Sequence, residues 1–168
     1  MTLLNRRTLI KNGSVAAMAL CAPSLARATP RIARDRLWIR RADTGESLND
    51  CFVYSSEVHA RAAWAVYSHF WRDVRDNGQM VWIDRGLLVV LSDLQGALSS
   101  AYGRELPLVL NSGYRTRQRN LSLVPEGAAV NSRHVTGQAA DFTVPGVAPS
   151  DVADLASRVR GVGGVGRY

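Results

Sequence analysis

The stretch Ser132–Asp141, which reads SRHVTGQAAD, is the most informative part of this chain. It contains one imidazole, His134, and one carboxylate, Asp141, seven positions apart with Gly137 between them. Because glycine adopts left-handed backbone conformations easily, the chain can turn back at Gly137 and direct both side chains to one point. Neutral imidazole and carboxylate are two of the three ligand types that Zn²⁺ accepts. The stretch therefore predicts half of a metal site.

The surroundings of Asp141 leave an alternative open. Asp141 lies between Ala140 and Phe142 in an apolar run, where an unpaired carboxylate would be costly. A metal would relieve that cost, but so would an arginine partner, with His134 then an ordinary loop residue. A catalytic zinc also needs three protein ligands and one open position. No evident third ligand follows Asp141 in the sequence.

Arg115 is the next candidate, because it follows Ser112-Gly113-Tyr114 at the end of a predicted strand. Its forked donors can bind a carboxylate or polarise a carbonyl group, although a surface ion pair is an equal alternative. The other histidines, His59 and His69, lie about 15 Å apart along a predicted helix and cannot share a metal. We expect both to be exposed.

The first 28 residues read as an export signal. Arg6 and Arg7 begin it, an apolar run covers Val15–Leu20, and Ala26-Arg27-Ala28 is a small-residue cleavage pattern. The paired arginines make the segment similar to a twin-arginine signal. An amphipathic anchor that stays attached is the alternative, although the run is shorter than the roughly 20 residues that span a bilayer. We expect a periplasmic or cell-envelope protein without stable membrane insertion after cleavage.

Composition and charge limit the number of domains and the kinds of partner that the chain is expected to have. With 168 residues, 46% of them hydrophobic, the chain predicts one domain with a substantial core. Four of the 21 Lys and Arg residues and none of the 14 acids lie in residues 1–28, so the net charge falls from +7 to +3 without them. A nucleic-acid partner needs a clustered basic face, and the charges here are interleaved. Cys51 is the single cysteine outside the signal, so no intramolecular disulfide is expected.

The hydrophobic pattern predicts an α+β fold with a small mixed or antiparallel sheet and two long helices packed on it. A hairpin is expected from residues 37–41 and 51–54, with Cys51 buried in its second strand. Further strands are expected at 106–110 and 139–144, and a short helix with a loop at 116–131. A last helix at 151–159 would be capped by Ser150.

Each of the two long helices is predicted from its own N-cap residue and its own apolar stripe. Ser56 is the expected N-cap of the first, whose apolar stripe repeats every four residues and comprises Val58, Ala62, Val66, Phe70 and Val74. Asp84 is the expected N-cap of the second, which should end at Gly103. Its stripe is made of leucines, namely Leu87, Leu88, Leu91, Leu94 and Leu98.

Several of these motifs together resemble the murein endopeptidase K family, within the D-Ala-D-Ala peptidase and hedgehog-type zinc peptidase superfamily. The motifs that carry the resemblance are Thr44-Gly45-Glu46, Arg72-Asp73-x-Arg75, Ser112-Gly113-Tyr114-Arg115-Thr116, Asn120, Ser132-x-His134-x-x-Gly137-x-Ala139-x-Asp141-Phe142 and Gly163-Gly164-Val165-Gly166. The resemblance covers about residues 36–168. It implies a hedgehog- or DD-peptidase-like α+β domain that cleaves peptide cross-links in peptidoglycan with one zinc ion. His134 and Asp141 match the first two zinc ligands, and Arg115 matches the substrate-binding arginine.

The resemblance also implies a departure from the family pattern. Family members continue past the glycine-rich segment into a strand with a histidine motif that supplies the third zinc ligand. The expectation is therefore a signal peptide at 1–28, a lead-in at 29–36 and a C-terminally truncated domain at 37–168. Two functions follow: an exported zinc endopeptidase, inactive or weakly active as a truncated form, or a non-catalytic peptidoglycan-binding module. The cross-link, D-alanine–diaminopimelate or diaminopimelate–diaminopimelate, stays open, as does the oligomeric state.

Overall fold

The computed structural model describes residues 35–166. The expected signal peptide and the lead-in up to residue 34 lie outside the described residues. Eight helices and strands and two 3₁₀ turns follow in chain order: β1 (Arg36–Arg41), β2 (Ser47–Cys51), α1 (Glu57–Phe70), α2 (Arg85–Tyr102), β3 (Leu108–Ser112), α3 (Arg117–Ser122), a 3₁₀ turn (Val124–Glu126), a 3₁₀ turn (Arg133–Thr136), β4 (Asp141–Thr143) and α4 (Pro149–Ala156).

The four strands form one mixed sheet in the order β2-β1-β3-β4. β1 pairs antiparallel with β2 and parallel with β3, and β3 pairs antiparallel with β4. The connection between the parallel strands β1 and β3 contains α1 and α2. The register of β3 with β4 shifts between Leu110 and Ser112, so that Ser112 lies opposite Asp141. The predicted α+β class with two long helices is confirmed.

α2 forms where the leucine stripe predicts it. The Asp84 side chain accepts a hydrogen bond from the Leu87 backbone N–H, and Gly103 ends the helix with φ of +65°. Four of the five predicted leucines are buried, and Leu87 packs against the core at its edge. Gln95, also buried, donates to the carbonyl groups of Trp38 and Leu106 and accepts from the Trp38 N–H. These bonds tie α2 to the sheet.

The buried face of α1 is wrong in the sequence prediction. Val58 and Val66 are 77% and 51% exposed, and of the predicted stripe within α1 only Phe70 is buried. Tyr67 and Trp71, which the stripe did not include, are buried as well. A four-residue repeat drifts by about 40° per step around a helix of 100° per residue, so the stripe cannot stay on one face. The large aromatic side chains remove more apolar surface from water when they are buried, so they decide which face of α1 packs against the core.

α1 also ends at Phe70, before the expected Val74. The reason is Arg41, which is buried and donates hydrogen bonds to the carbonyl groups of Phe70 and Arg72. These contacts satisfy the end of the helix and turn the chain toward Asp73. Arg41 is paired with Asp43, and that hydrogen bond lowers the pKa of the Asp43 carboxyl group.

Strand boundaries differ by a few residues from the prediction. β2 comprises Ser47–Cys51 instead of 51–54, because Phe52 leaves the sheet to enter the core while the next two residues are exposed. Cys51 is a half-buried free thiol in β2. β3 begins at Leu108, later than predicted, because Leu106 is buried in the core without pairing in the sheet.

The last helix begins earlier than predicted. α4 starts at Pro149 after Ala148, so Ser150 lies inside its first turn instead of capping it. Proline suits this position because its fixed φ matches a helix and its missing N–H would be unbonded there. Between residues 35 and 166, no helix combines the length and the apolar character needed to cross a membrane.

Candidate active site

The candidate site lies at one edge of the sheet, where β3 ends and β4 begins. The irregular register there brings Ser112 opposite Asp141. His134 reaches the same place from the 3₁₀ turn Arg133–Thr136, which precedes β4. The Arg115 backbone N–H donates to the His134 carbonyl group at 3.2 Å, which joins the β3 exit to this turn. His134, Asp141 and Arg115, the three residues predicted from sequence, are thus brought together.

The turn that carries His134 depends on its first and last residues. The Ser132 hydroxyl accepts a hydrogen bond from the His134 N–H at 3.3 Å, and Gly137 ends the turn with φ of +67°. A Cβ at residue 137 would lie 3.1 Å from a methyl group of Val81 and 3.3 Å from the Trp82 carbonyl oxygen. Both the conformation and the close approach therefore require glycine, as the sequence indicates.

The orientation of the His134 ring is fixed by the carbonyl group of Gly113. His134 is buried, and its Nδ1 lies 2.6 Å from the Gly113 oxygen. Since a carbonyl oxygen only accepts, Nδ1 carries a hydrogen, and it is Nε2 that would offer an electron pair to a metal ion. Nε2 lies 3.3 Å from Oδ1 of Asp141. The pair therefore presents one nitrogen and one oxygen donor side by side.

Arg115 holds the other oxygen of Asp141. Its Nη2 pairs with Oδ2 of Asp141, and its Nε donates to the Ser112 hydroxyl at 2.8 Å. The Arg115 and Asp141 side chains are only 15% and 17% exposed. The arginine partner expected under the second sequence hypothesis is therefore present, together with the histidine neighbour expected under the first. The Asp141 carboxylate therefore contacts both an arginine and a histidine.

Trp71, which the sequence did not indicate as part of the site, packs against the two segments that carry Arg115 and Asp141. Its carbonyl group accepts from the Tyr114 N–H at 2.8 Å, and its indole N–H donates to the Ala139 carbonyl group at 3.3 Å. It is buried and lies against Gly113. Trp71 therefore braces both segments that carry the site. Its place directly before the Arg72-Asp73-x-Arg75 motif is the sequence signal that could have identified it.

Asp73, which belongs to that motif, supports the residue after Arg115. Its fully buried carboxylate accepts from Arg119 Nη1 at 2.7 Å and from the Thr116 backbone N–H at 3.1 Å. Burial, followed by the charges of Asp73 and Asp76, raises the pKa of the Tyr114 phenol above its ordinary value, so this group next to Arg115 carries no charge at physiological pH. The hydrogen bonds of Asp73 therefore hold the turn from Ser112 to Thr116 in place.

The donor spacing is compatible with a tetrahedral metal ion. Two donors that each lie about 2.0–2.1 Å from a tetrahedral zinc ion are about 3.3 Å apart, and that is the His134–Asp141 separation. A charge-assisted hydrogen bond would be shorter, about 2.7–2.9 Å. Within residues 35–166, no three His, Cys, Asp or Glu side chains are grouped so that they could hold a metal. His59 and His69 are exposed on α1, as expected.

The structure thus brings a buried histidine, a carboxylate and an arginine together at one edge of a small mixed sheet. The family model described as peptidoglycan L,D-endopeptidase MepK matches residues 29–168. Curated proteins of that name from Escherichia coli strain K12 and Shigella flexneri are each 38% identical over 167 residues. Those alignments cover 98% of this chain and 88% of each relative.

This chain belongs to the peptidoglycan L,D-endopeptidase MepK family and is a peptidoglycan endopeptidase. The resemblance that its motifs indicated is thereby confirmed. No solved structure gives a significant match to the chain.

Proposed function

We propose that the chain is an exported, zinc-dependent endopeptidase that cleaves L,D peptide cross-links in peptidoglycan, with His134 and Asp141 as zinc ligands. The observation that carries the proposal is the 3.3 Å separation of His134 Nε2 and Asp141 Oδ1 at the edge of the sheet where β3 ends and β4 begins. It matches two ligands of one tetrahedral ion and exceeds the usual length of a charge-assisted hydrogen bond.

The residues around the pair support the same role. Metal-binding histidines usually donate their second N–H to a carbonyl or carboxylate group, which fixes the tautomer and orients the ring. His134 has that partner in the Gly113 carbonyl group. Zinc, when bound, supplies Lewis-acid chemistry that polarises a carbonyl group and lowers the pKa of water. His134 and Asp141 would hold it.

Arg115 has two tasks in this proposal. By pairing with Oδ2 of Asp141 it orients the carboxylate and leaves Oδ1 directed toward Nε2 of His134. The contacts with Asp141 and Ser112 use two of the five N–H donors of the guanidinium group. The others suit a substrate carbonyl or carboxylate, where an arginine stabilises developing negative charge.

The bond cleaved follows from the name of the relatives. An L,D-endopeptidase attacks a carbonyl group on an L-configured centre. The D-alanine–diaminopimelate cross-link has its carbonyl group on a D-configured centre, so it does not fit. The diaminopimelate–diaminopimelate cross-link, the second alternative that the sequence left open, fits the name. We therefore propose that it is the substrate.

The test uses two purified muropeptide dimers, one with each type of cross-link. Products are separated by liquid chromatography and identified by mass spectrometry, with zinc added, with chelator, and with zinc restored. We expect monomers from the diaminopimelate–diaminopimelate dimer alone, loss of activity with chelator and recovery with zinc. His69→Ala, an exposed histidine on α1, is the matched control and should behave like the wild type.

Other outcomes of the same test discriminate between hypotheses. Cleavage that chelator does not affect would refute the zinc proposal, and cleavage of the D-alanine dimer would refute the bond assignment. Sedimentation with peptidoglycan without any product, whether or not chelator is present, would indicate the non-catalytic binding module instead.

Export is part of the proposal and rests on residues 1–28. The paired Arg6 and Arg7, the apolar run and the Ala-x-Ala pattern support it. Replacement of both arginines by lysine should leave the precursor in the cytoplasm, whereas the wild type should be recovered in the cell envelope. Equal envelope recovery of both would contradict twin-arginine export.

A further inference from the structure

An exposed aromatic surface lies beside the turn that carries His134. Trp82 is 45% exposed, and its ring lies 4.4 Å from that of Trp64, at an angle of 35°. The guanidinium carbon of Arg85 lies 4.2 Å from the centroid of the Trp64 ring. We call these three residues the aromatic platform. Trp82 and the Trp64 ring beneath it present contiguous apolar surface, and contiguous exposed apolar surface is a feature of ligand-binding sites.

The platform is held rigidly. The Trp64 indole N–H donates to the Ile83 carbonyl group at 2.6 Å, which fixes the ring that supports Trp82. Trp64 in turn packs against the hydrophobic core. A preformed aromatic surface loses little conformational entropy on binding, which favours its use in recognition.

The platform is attached to the candidate active site through the segment that contains Trp82. The Trp82 carbonyl group packs against Gly137, and the Asp84 N–H donates to the Gly137 carbonyl group at 3.0 Å. Gly137 ends the turn that carries His134. The segment that carries Trp82 is therefore in direct backbone contact with the turn that carries His134.

From this geometry we infer that the platform binds the glycan strand of peptidoglycan while the peptide cross-link occupies the site. The inference rests on peptidoglycan being the substrate. The pyranose rings of its glycan present flat C–H faces that match an indole face, whereas its stem peptides are short, polar and acidic. Arg85 adds hydrogen-bond donors for hydroxyl and acetamido oxygens. Anchoring the strand would keep the enzyme on an insoluble polymer while successive cross-links enter the site.

The test is a titration of the full chain with a β-1,4-linked N-acetylglucosamine tetramer, followed by tryptophan fluorescence. The wild type should show a saturable change, and Trp82→Ala should weaken the affinity at least tenfold. Trp82→Phe, which keeps an aromatic face, should stay within about threefold of the wild-type affinity. Thermal unfolding of each variant verifies that it is folded.

Tyr102→Ala is the matched control. Tyr102 is an exposed aromatic residue at the opposite end of α2 from Arg85, about 25 Å away along an 18-residue helix. This variant should bind the tetramer like the wild type. No saturable binding by the wild type, or equal affinity in Trp82→Ala, would overturn the inference. Trp82-dependent binding to anionic phospholipid vesicles but not to the tetramer would overturn it in favour of a membrane contact.

The titration involves neither hydrolysis nor a metal, so its outcome is independent of the proposed zinc site. Failure of glycan binding would leave the roles of His134 and Asp141 untouched. Equally, a metal-independent activity would leave the glycan result standing.

Discussion

Trp71 and Gly113 are in such close contact that residue 113 has no room for a side chain. A Cβ there would lie 2.7 Å from both the carbonyl oxygen and a ring carbon of Trp71. The backbone of Gly113 in turn fixes the His134 ring through its carbonyl group. A change at the contact between Trp71 and Gly113 should therefore reach the imidazole without altering any polar side chain.

Gly113→Ala should destabilise the protein by about 2 kcal/mol, because overpacking a buried contact typically costs 1–3 kcal/mol. It should also reduce endopeptidase activity more than the lost stability explains, since the backbone must shift away from Trp71. Urea unfolding and turnover of a muropeptide dimer measure the two effects. Gly96→Ala is the control: it lies within α2 with no atom within 4 Å of its added Cβ, so it should be neutral or stabilising. Wild-type activity in Gly113→Ala would contradict the positioning role.

Asp73→Asn should cost about 3 kcal/mol, because it breaks a buried ion pair with Arg119. It also weakens the contact with the Thr116 N–H, so Arg115 should be displaced and kcat/KM should fall at least tenfold. The control is Glu46→Gln, because the Glu46 carboxylate is 41% exposed and pairs with Arg72; loss of its charge should cost less than about 1 kcal/mol. Similar losses in both variants would show that burial of the Asp73 carboxylate has no special importance.

Tyr67 makes stability sensitive to alkaline pH. Burial raises the pKa of its phenol above the ordinary value, and its hydroxyl bonds to the carbonyl groups of Leu37 and Asp50. The folded state therefore favours the neutral form, so this contribution is complete below the unfolded pKa of about 10 and is lost as pH rises further. Melting temperatures should fall steeply above pH 10 in the wild type and less steeply in Tyr67→Phe. Tyr54→Phe should change the slope less than Tyr67→Phe does, because desolvation and Asp50 raise the pKa of the exposed Tyr54 phenol by less than burial raises that of Tyr67. Parallel slopes for all three proteins would refute the assignment to Tyr67.

Arg115→Lys tests whether the forked geometry is needed. Lysine keeps the charge but cannot bond to Ser112 and Asp141 at once as Arg115 does. We expect kcat/KM to fall by about 10- to 100-fold, the usual effect of removing a partner of a metal ligand. Circular dichroism should be unchanged. Wild-type kcat/KM in this variant would show that charge alone is sufficient.

The sequence was most informative where local rules decide the structure. The Asp84 cap, the leucine stripe and Gly103 predicted α2 nearly residue for residue, because capping and periodicity are local effects. Gly137 was predicted to reverse the chain between His134 and Asp141, and it does.

Tertiary contacts explain what the sequence did not predict. α1 ends at Phe70 because Arg41, far away in the chain, donates to the carbonyl group of Phe70, the last residue of the helix. The support of the site by Trp71 depends on a contact with Gly113 across more than 40 positions. A local sequence pattern does not reveal pairs of residues that are so far apart in the chain. The same limit applies to the Arg115–Asp141 pair, which spacing alone left as an alternative.

The measurement that bears most directly on the zinc proposal is the metal content of the purified protein after equilibration with zinc and removal of the excess. Inductively coupled plasma mass spectrometry is applied to the wild type, His134→Ala, Asp141→Ala and the surface control His69→Ala. If His134 and Asp141 are ligands, the wild type and His69→Ala retain zinc and the two site variants lose most of it. Equal zinc content in the wild type and in His134→Ala would contradict the proposed site.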